Sequence, residues 1–464
     1  MRQTPVVEAR ESVVMRGAIV ALLLFMWMPI VIFKPFIGIL LWDWISHMNP
    51  HKQTYGFAMF FPFLDFVAAL TIGGLLISKD KKSLPAHPIV AIILIYFIWV
   101  TFTTIVGFEP GYSFEKYTYV FKVLLFAFVA MMVMQSPNRL RAFVFVMAAS
   151  LAYIGVKGGL FTILTGGSGR VQGAGGMMDD NNQLAMAMAM LLPLSMYFVQ
   201  HPPLKILKWP FAGATFAIML SIVGTQSRGG FVALAAVMGM LLLQSKHKFK
   251  LIAVLVPLVI GGLYFMPDSW KNRMQSTENA TEDSSFRGRV VMWRFSSNVA
   301  DDNPIEGGGY NVFYVRRAQE LYMPPGEIPR APHSAYFEVL AEHGYTGLLL
   351  YLSMLLTGWY AGGSAAKKFR KHEETKWIGD LCAAIQLGLV GYAVGGLTVN
   401  IATFDLFYHY LAVIVMCSNV GDEILARQTF RVADDGKKII AAGPKKWSPH
   451  GSGSKAARQK TSPT

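Results

Sequence analysis

The arginine side chains are the best candidates for chemistry in this sequence. Among them, Arg228 has the most unusual position. It lies in Thr225-Gln226-Ser227-Arg228-Gly229-Gly230, a turn between two apolar stretches of membrane-spanning length. The turn is so short that Arg228 must sit at or just inside the interface, where a charge costs about 2.5–3.5 kcal/mol even on insertion scales. The glycine pair allows close backbone approach. We expect Arg228 to bind an anion, with snorkelling toward lipid headgroups as the alternative.

Two more arginines, Arg287 and Arg289, lie in the longest polar interval before the C-terminal tail, residues 267–333. An arginine fork matches phosphate oxygens bidentately. The nearby Trp293 could stack on a sugar ring or pack the loop down. The alternative for both arginines is a salt bridge to acidic residues of the same loop.

His333 ends this interval, and Tyr336, Glu338 and Glu342 follow at the start of the next apolar stretch. The predicted substrate-binding residues of this region are Arg287, Trp293, Tyr336 and Glu338. With an unperturbed pKa of ~6.5, imidazole is the readiest proton acceptor at neutral pH. Helical spacing puts Glu338 and Glu342 on one face. An intramembrane carboxylate is a functional candidate, here as a partner that orients His333. The alternative is an interfacial histidine without a role.

A fourth candidate site is a glycine-rich stretch that begins at Arg170 and ends on Asp179-Asp180-Asn181-Asn182, directly before an apolar segment. One such side chain suffices to cap a helix, because its oxygen accepts from a free backbone N–H group. Four in a row predict a hydrogen-bonding surface for a sugar or phosphate, with Arg170, Asp180 and Asn181 as its substrate-binding residues. A plain cap is the alternative.

The elements that must position these residues are membrane helices. Of 464 residues, 53% are hydrophobic and only 15% charged, and the mean hydropathy is +0.40. The apolar blocks approach the ~20 residues needed to span a bilayer. We predict an all-α polytopic membrane protein with about twelve transmembrane helices and one large periplasmic loop.

Basic residues orient this arrangement. The net charge is +14, but lysine and arginine cluster in alternate short loops and in the tail, as the positive-inside rule requires. This pattern argues against nucleic acid as a partner. It predicts that both termini are cytoplasmic and that the polar motifs lie on the outer side. The predicted segments are a cytoplasmic N-terminus (1–16), transmembrane helices (17–266), the large periplasmic loop (267–333), transmembrane helices (334–420) and a disordered basic cytoplasmic tail (421–464).

Metal and cofactor chemistry leaves no signature in the sequence. Cys382 and Cys417 both sit in apolar segments without a partner at ligand spacing. There is no metal-spaced His/Cys/Asp cluster, no nucleotide-binding loop and no Gly-x-Ser-x-Gly elbow. We therefore expect neither a metal nor a cofactor, and chemistry that uses arginine, histidine and backbone dipoles.

Four motifs occur in a fixed order along the chain. They are Asp-Asn-Asn before a span, Ser-Arg-Gly-Gly between two spans, Gly-Arg…Trp…Pro-Ile-x-Gly-Gly-Gly in the large loop, and His-Ser-x-Tyr-Phe-Glu-x-x-x-Glu-His-Gly entering the next span. This set resembles the O-antigen ligase and polymerase superfamily. It is most similar to the O-glycosylation ligases associated with the exosortase A system.

The resemblance implies a multi-pass glycosyltransferase of the C type in the bacterial inner membrane, surrounded by lipid. Such enzymes transfer a glycan from undecaprenyl diphosphate to an acceptor glycan, lipid or protein at the periplasmic face, without a metal and with inversion. Arg228 and Arg289 match family arginines that contact the donor diphosphate, and His333 matches the base. In many members that histidine is followed by Asn, whereas this chain has Ser334.

Three other functions fit a membrane protein with these loops. A repeat-unit polymerase would use the same donor. A lipid-linked glycan transporter would place its charges near the bilayer midplane between related halves, whereas here the polar motifs gather on one face and no repeat is evident. A scaffold of an export system would tolerate loss of His333.

Overall fold

The computed structural model describes residues 5–80, 82–245, 248–249, 252–253 and 284–434. Within these ranges the chain is helical and contains no strand. Most of the apolar stretch predicted at 250–266 lies outside the described residues, as does the start of the predicted outer loop, residues 267–283.

The helices are numbered here along the chain. They are α1 (Pro5–Phe33), α2 (Pro35–Met48), α3 (Phe57–Phe60), α4 (Phe63–Ile77), α5 (Pro88–Val106), α6 (Pro110–Val133), α7 (Pro137–Leu164), α8 (Asn181–Gln200), α9 (Lys208–Gly224), α10 (Arg228–Gln244), α11 (Ser284–Asp302), α12 (Arg316–Tyr322), α13 (Ala335–Phe369), α14 (Lys376–Gly395) and α15 (Asp405–Asp434).

Eight helices of the described residues are long and apolar enough to cross a membrane. They are α13 and parts or all of α1, α5, α6, α7, α8, α9 and α14, and α4 and α10 are shorter apolar helices. The chain is therefore an all-helical protein consistent with several membrane crossings. The count of about twelve spans and the periplasmic side of the loop stay predictions.

The first apolar run is a broken helix. α1 ends at Phe33, Lys34 has non-helical φ and ψ of −134° and 77°, and α2 begins at Pro35. A proline disfavours helical backbone at the preceding residue, and it is well tolerated as the first residue of a new helix. Pro35 begins a new helix, whereas Pro29 lies inside α1 and does not end it.

The last helix, α15, continues to Asp434, so the first part of the segment predicted as a disordered tail is helical. Residues 435–464 lie outside the described part of the chain.

α13 changes direction at Gly344, whose φ of +68° is non-helical. The Gly307–Gly309 run crosses it there. Gly308 N donates to Ala341 O at 2.8 Å, and Tyr345 N donates to Pro304 O at 2.9 Å. A Cβ on Gly307 would lie 2.4 Å from Gly344 N, so only glycine permits this approach of backbone to backbone. The glycine run, expected from sequence to reverse the chain, also replaces hydrogen bonds that the break removes from the helix.

The loop helix α11 packs onto the first half of α13 through an apolar cluster. Met292, Phe295 and Val299 of α11 are fully buried beside Val312, Phe313 and Ala341. Fully burying a side chain of this size contributes about 1.5–3 kcal/mol. The described part of the loop is therefore a packed layer that fixes the residues at its end, including His333.

Candidate functional site

His333 has an unusual backbone conformation, with φ at +50°. A residue other than glycine with positive φ is uncommon and persists only where its surroundings hold it. Both neighbours of His333 are held: Pro332 O accepts from Trp293 Nε1 at 2.9 Å, and Ser334 N donates to Asn400 Oδ1 at 3.1 Å. The structure thus presents the imidazole from a fixed, strained corner between α11 and α13.

Trp293 and Tyr336 are the aromatic residues that fix this corner. The Trp293 ring stacks on Phe337 at a centroid separation of 5.1 Å. The Tyr336 hydroxyl donates to Ala393 O of α14 at 2.6 Å. For Trp293 the contacts match the alternative in which the indole packs the loop down. Both residues thus make contacts within the fold beside His333, and their predicted binding of substrate stays a prediction.

The electrostatic surroundings of His333 come from distant parts of the chain. Its pKa lies below 6.5, first because the ring is largely buried and second because the Arg289 guanidinium is near, while Asp180 acts in the opposite direction. Burial and a like charge both disfavour the imidazolium form. His333 is therefore neutral at pH 7 and able to accept a proton, with Arg289 and Asp180 close enough to act on it.

The turn that carries Arg228 is tied to the start of α8. Ser227 Oγ caps α10 by accepting from Gly230 N at 3.1 Å, and it donates to Asn182 Oδ1 at 2.7 Å. Asn181 Nδ2 donates to Thr225 O at 2.8 Å. The Asp-Asn-Asn and Ser-Arg-Gly-Gly motifs therefore form one hydrogen-bonded unit, with Asp180 exposed at its edge.

A third segment, the turn between α14 and α15, joins this unit to His333. Asn400 O accepts from Gln183 Nε2 at 3.4 Å, while Asn400 Oδ1 accepts from Ser334 N. A Cβ on Gly229 would lie 2.1 Å from Thr398 Oγ1. Gly229 is thus required for this close approach, and the α14–α15 turn bridges the arginine turn and the histidine corner.

Arg287 and Arg170, which are also predicted to bind substrate, have other surroundings, although Val171, next to Arg170, donates its N–H to Gly224 O at 2.9 Å beside the turn that carries Arg228. Arg287 is exposed and forms an ion pair with Glu327 at 2.8 Å. Glu327 is an acidic residue of the same loop, so this contact corresponds to the salt-bridge alternative. Arg170 is exposed and lines a cavity of about 230 Å³ together with Lys157 and Gln53.

The two carboxylates of α13 face a lysine. Lys116 Nζ lies 2.7 Å from Glu338 Oε1 and 2.7 Å from Glu342 Oε1. Glu342 also accepts from Asn311 N at 3.0 Å, and Glu338 accepts from Ala402 N at 3.4 Å. These bonds place Glu338 and Glu342 in a buried ionic cluster with Lys116, and their predicted role of orienting His333 stays a prediction.

Comparison with known families adds one decisive observation. Residues 213–352 match the family described as O-antigen ligase. The matched segment runs from α9 past the break in α13, and it contains Arg228, Arg289 and His333. The match supports the O-antigen ligase superfamily and a ligase- or polymerase-type transfer of glycans, whereas the exosortase-associated subgroup stays a prediction.

The family match in the N-terminal half carries no description of a function. Residues 15–202 match a family of unknown function, and no curated protein matches the chain. The segment with Arg170, Asp180 and Asn181 thus lies outside the O-antigen ligase match, although its hydrogen bonds join it to residues inside that match.

Sequence reasoning missed two polar clusters. Lys116 falls in a predicted outer loop, but α6 already begins at Pro110, so the lysine lies inside the helix. A lysine within helical reach of an apolar run is the signal that could have found it. Asp43 and His47 show the i, i+4 spacing of one helix face, yet no pattern links them to His409, which completes their cluster.

Proposed function

We propose that this protein transfers a glycan from undecaprenyl diphosphate to an acceptor hydroxyl at the periplasmic face of the bacterial inner membrane. The observation that carries the proposal is the surroundings of His333. A neutral, strained histidine lies within the field of Arg289 and Asp180, and a bridge through Asn400 joins it to the turn that carries Arg228.

The proposed reaction is a displacement at the anomeric carbon. The acceptor oxygen attacks that carbon while His333 accepts the hydroxyl proton, and the bond from the carbon to the carrier phosphate breaks with its electron pair leaving on the diphosphate. General base catalysis of this kind contributes about 10²–10⁴-fold to a rate. A single displacement inverts the anomeric configuration.

Arg228 and Arg289 stabilise the charge that develops on the leaving diphosphate. Arginine suits this role because its planar fork stays protonated and matches phosphate oxygens. A diphosphate is already a good leaving group, so fixed guanidinium groups can take the place that a metal ion has in other transferases. The transfer step proposed here is therefore metal-independent.

The remaining predicted residues divide by their contacts. Asp180, exposed at the edge of the α8–α10 unit, binds sugar hydroxyls of the donor or acceptor, and the buried Asn181 supports it through the bond to Thr225 O. Arg170, in its own basic cavity beside Lys157, contacts a more distant part of the donor. Trp293 and Tyr336 position the histidine corner, Glu338 belongs to the ionic cluster with Lys116, and Arg287 acts at the rim of the loop.

Single replacements test this assignment. Arg228→Ala, Arg289→Ala and His333→Ala are each expressed in a deletion strain, with Arg316→Ala as the matched control because Arg316 is exposed and paired only within α12. At equal membrane abundance, the three variants should accumulate carrier-linked glycan and the control should not. Undiminished transfer in all three variants would remove the mechanism.

A repeat-unit polymerase is the second candidate, because the family match supports ligase and polymerase chemistry alike. Both use a carrier-linked donor and the same base and arginines. The product separates them: loss of a ligase leaves full-length glycan on the carrier, whereas loss of a polymerase leaves single repeats. The chain-length distribution in the His333→Ala strain decides between the two.

A further inference from the structure

A second cluster of titratable residues joins α2 to α15, apart from the residues assigned to glycan transfer. Asp43 and His47 are fully buried on one face of α2, and His409 of α15 is 1% exposed. One oxygen or nitrogen from each of the three lies within 4.8 Å of the others. These three side chains are called the α2–α15 cluster below.

The distances in this cluster suit ligands gathered round one ion. His47 Nδ1 lies 3.2 Å from Asp43 Oδ1, and His409 Nδ1 lies 3.0 Å from the same oxygen. Two ligand atoms bound at about 2.0–2.2 Å to a tetrahedral zinc ion lie about 3.3–3.6 Å from each other, a few tenths of an ångström more than these two separations. His47 Nδ1 also donates a hydrogen bond to the Asp43 backbone oxygen at 3.0 Å, and an ion bound through this nitrogen would replace that bond.

The hydrogen bonding of these atoms argues against a simple proton-linked network. Within the described part of the chain, Asp43 Oδ1, Asp43 Oδ2 and His409 Nδ1 are buried and make no hydrogen bond of acceptable geometry. Both Nδ1 atoms lie close to Asp43 Oδ1, but His47 Nδ1 already donates to the Asp43 backbone oxygen. A central cation would satisfy the Asp43 carboxylate and His409 Nδ1, which make no aligned hydrogen bond among the described residues.

The neighbouring residues resemble the supporting groups of a metal site. Asp405 Oδ1 lies 3.5 Å from His47 Nε2, and Asp405 in turn accepts a hydrogen bond from Ser46 Oγ. Ligating histidines commonly direct their second nitrogen to a carboxylate, which fixes the ring and raises its basicity. A divalent cation bound by neutral imidazoles would balance the charge of the carboxylates of Asp43 and Asp405 inside an apolar protein.

We propose that Asp43, His47 and His409 bind a divalent transition metal, with Asp405 supporting His47. Two imidazoles and one carboxylate without thiolate suit zinc among the common ions. The near-complete burial of the ligands indicates a structural ion that ties α2 to the start of α15. The turn before α15 carries Asn400, which holds Ser334, so the ion would also steady the histidine corner. This inference does not depend on the proposed function.

The test measures metal content and coordination, with no assay of transfer. The full-length protein is purified in detergent, incubated with Zn²⁺, desalted, and analysed by mass spectrometry for bound zinc. We expect about one zinc per chain in the wild-type protein and in His201→Gln, the control histidine whose partner is Asp380. Asp43→Asn and His409→Gln should bind less than a tenth of that amount.

Two further measurements keep the proposal falsifiable if a variant fails to fold. Co²⁺ added to the wild-type protein should give the visible ligand-field bands of a nitrogen- and oxygen-bound tetrahedral ion, and Zn²⁺ should abolish them. Asp405→Asn should weaken zinc affinity by about 10–100-fold while keeping the stoichiometry. Wild-type protein that retains no zinc and shows no cobalt bands would establish the α2–α15 cluster as an ion-pair network only, and would overturn the proposal.

Discussion

The first turns of α13 and the residues just before them carry titratable groups in two opposite settings. His333 lies at a strained corner, largely buried, with the charges of Arg289 and Asp180 acting on it from other segments. Glu338 and Glu342, one and two turns later, are buried and make close ionic bonds to Lys116. The two settings are only a few residues apart in sequence.

Under the proposed function, the difference separates a residue that acts on substrate from residues that hold the fold together. In the Lys116 cluster, the carboxylate oxygens of Glu338 and Glu342 accept hydrogen bonds from the lysine and from backbone N–H groups of the protein itself. At His333 the protein instead holds the backbone on both sides and leaves the imidazole neutral. Strain held by neighbours is a pattern found at functional sites, whereas a closed ionic cluster fixes packing. The predictions below test this contrast.

The largest effect on transfer is expected at His333. Asparagine tolerates positive φ better than most residues, so His333→Asn removes the base with little change to the corner. We expect the rate of glycan transfer to fall by about 10²–10⁴-fold and Tm to stay within a few degrees of wild type. A variant that keeps wild-type rates would remove His333 from the mechanism.

Lys116→Met should instead act on stability. It leaves two buried carboxylates without their cation, a change that typically lowers the free energy of unfolding by about 3–5 kcal/mol. We expect a lower Tm and less protein in the membrane, with transfer per folded molecule retained.

The matched control for Lys116→Met adds Glu338→Gln and Glu342→Gln to the same chain. Removing all three charges should recover much of the lost stability, because no uncompensated charge stays buried. If the triple variant is as unstable as Lys116→Met, the three residues do not form an ionic unit.

A smaller effect is expected for Trp293→Phe, which keeps a ring to stack on Phe337 but removes the N–H that Pro332 O accepts. A lost hydrogen bond of this kind is worth about 1 kcal/mol. We expect a several-fold drop in transfer rate and a small change in Tm. Equal rates in Trp293→Phe and wild type would show that this bond does not position His333.

Sequence reasoning reached the helices and the motif residues because both follow from local patterns. Apolar blocks of membrane-spanning length predicted an all-helical membrane protein, and the described residues are helical with eight candidate spans. The motif order also selected Arg228, Arg289 and His333, all inside the segment that matches the O-antigen ligase family.

Contacts between residues that are distant in the sequence could not be predicted, and the reason is physical. The contacts that decide roles join residues far apart in sequence, such as Lys116 with Glu342 and Asp43 with His409. Single-sequence periodicity carries no information on which helices meet. Trp293 shows the same point locally, because only the packing on Phe337 decides between stacking on sugar and holding the loop.

The most direct test of the central claim is the pH dependence of transfer in wild type and Arg289→Ala, with Arg316→Ala as the control. Neutral His333 is the active form, so transfer should fall on the acid side with a midpoint below pH 6.5, as the lowered pKa of His333 requires. Removing the Arg289 charge should move that midpoint upward toward 6.5, while Arg316→Ala leaves it in place. Identical acid limbs in wild type and Arg289→Ala would contradict the account, since they would show that the arginine does not act on the histidine.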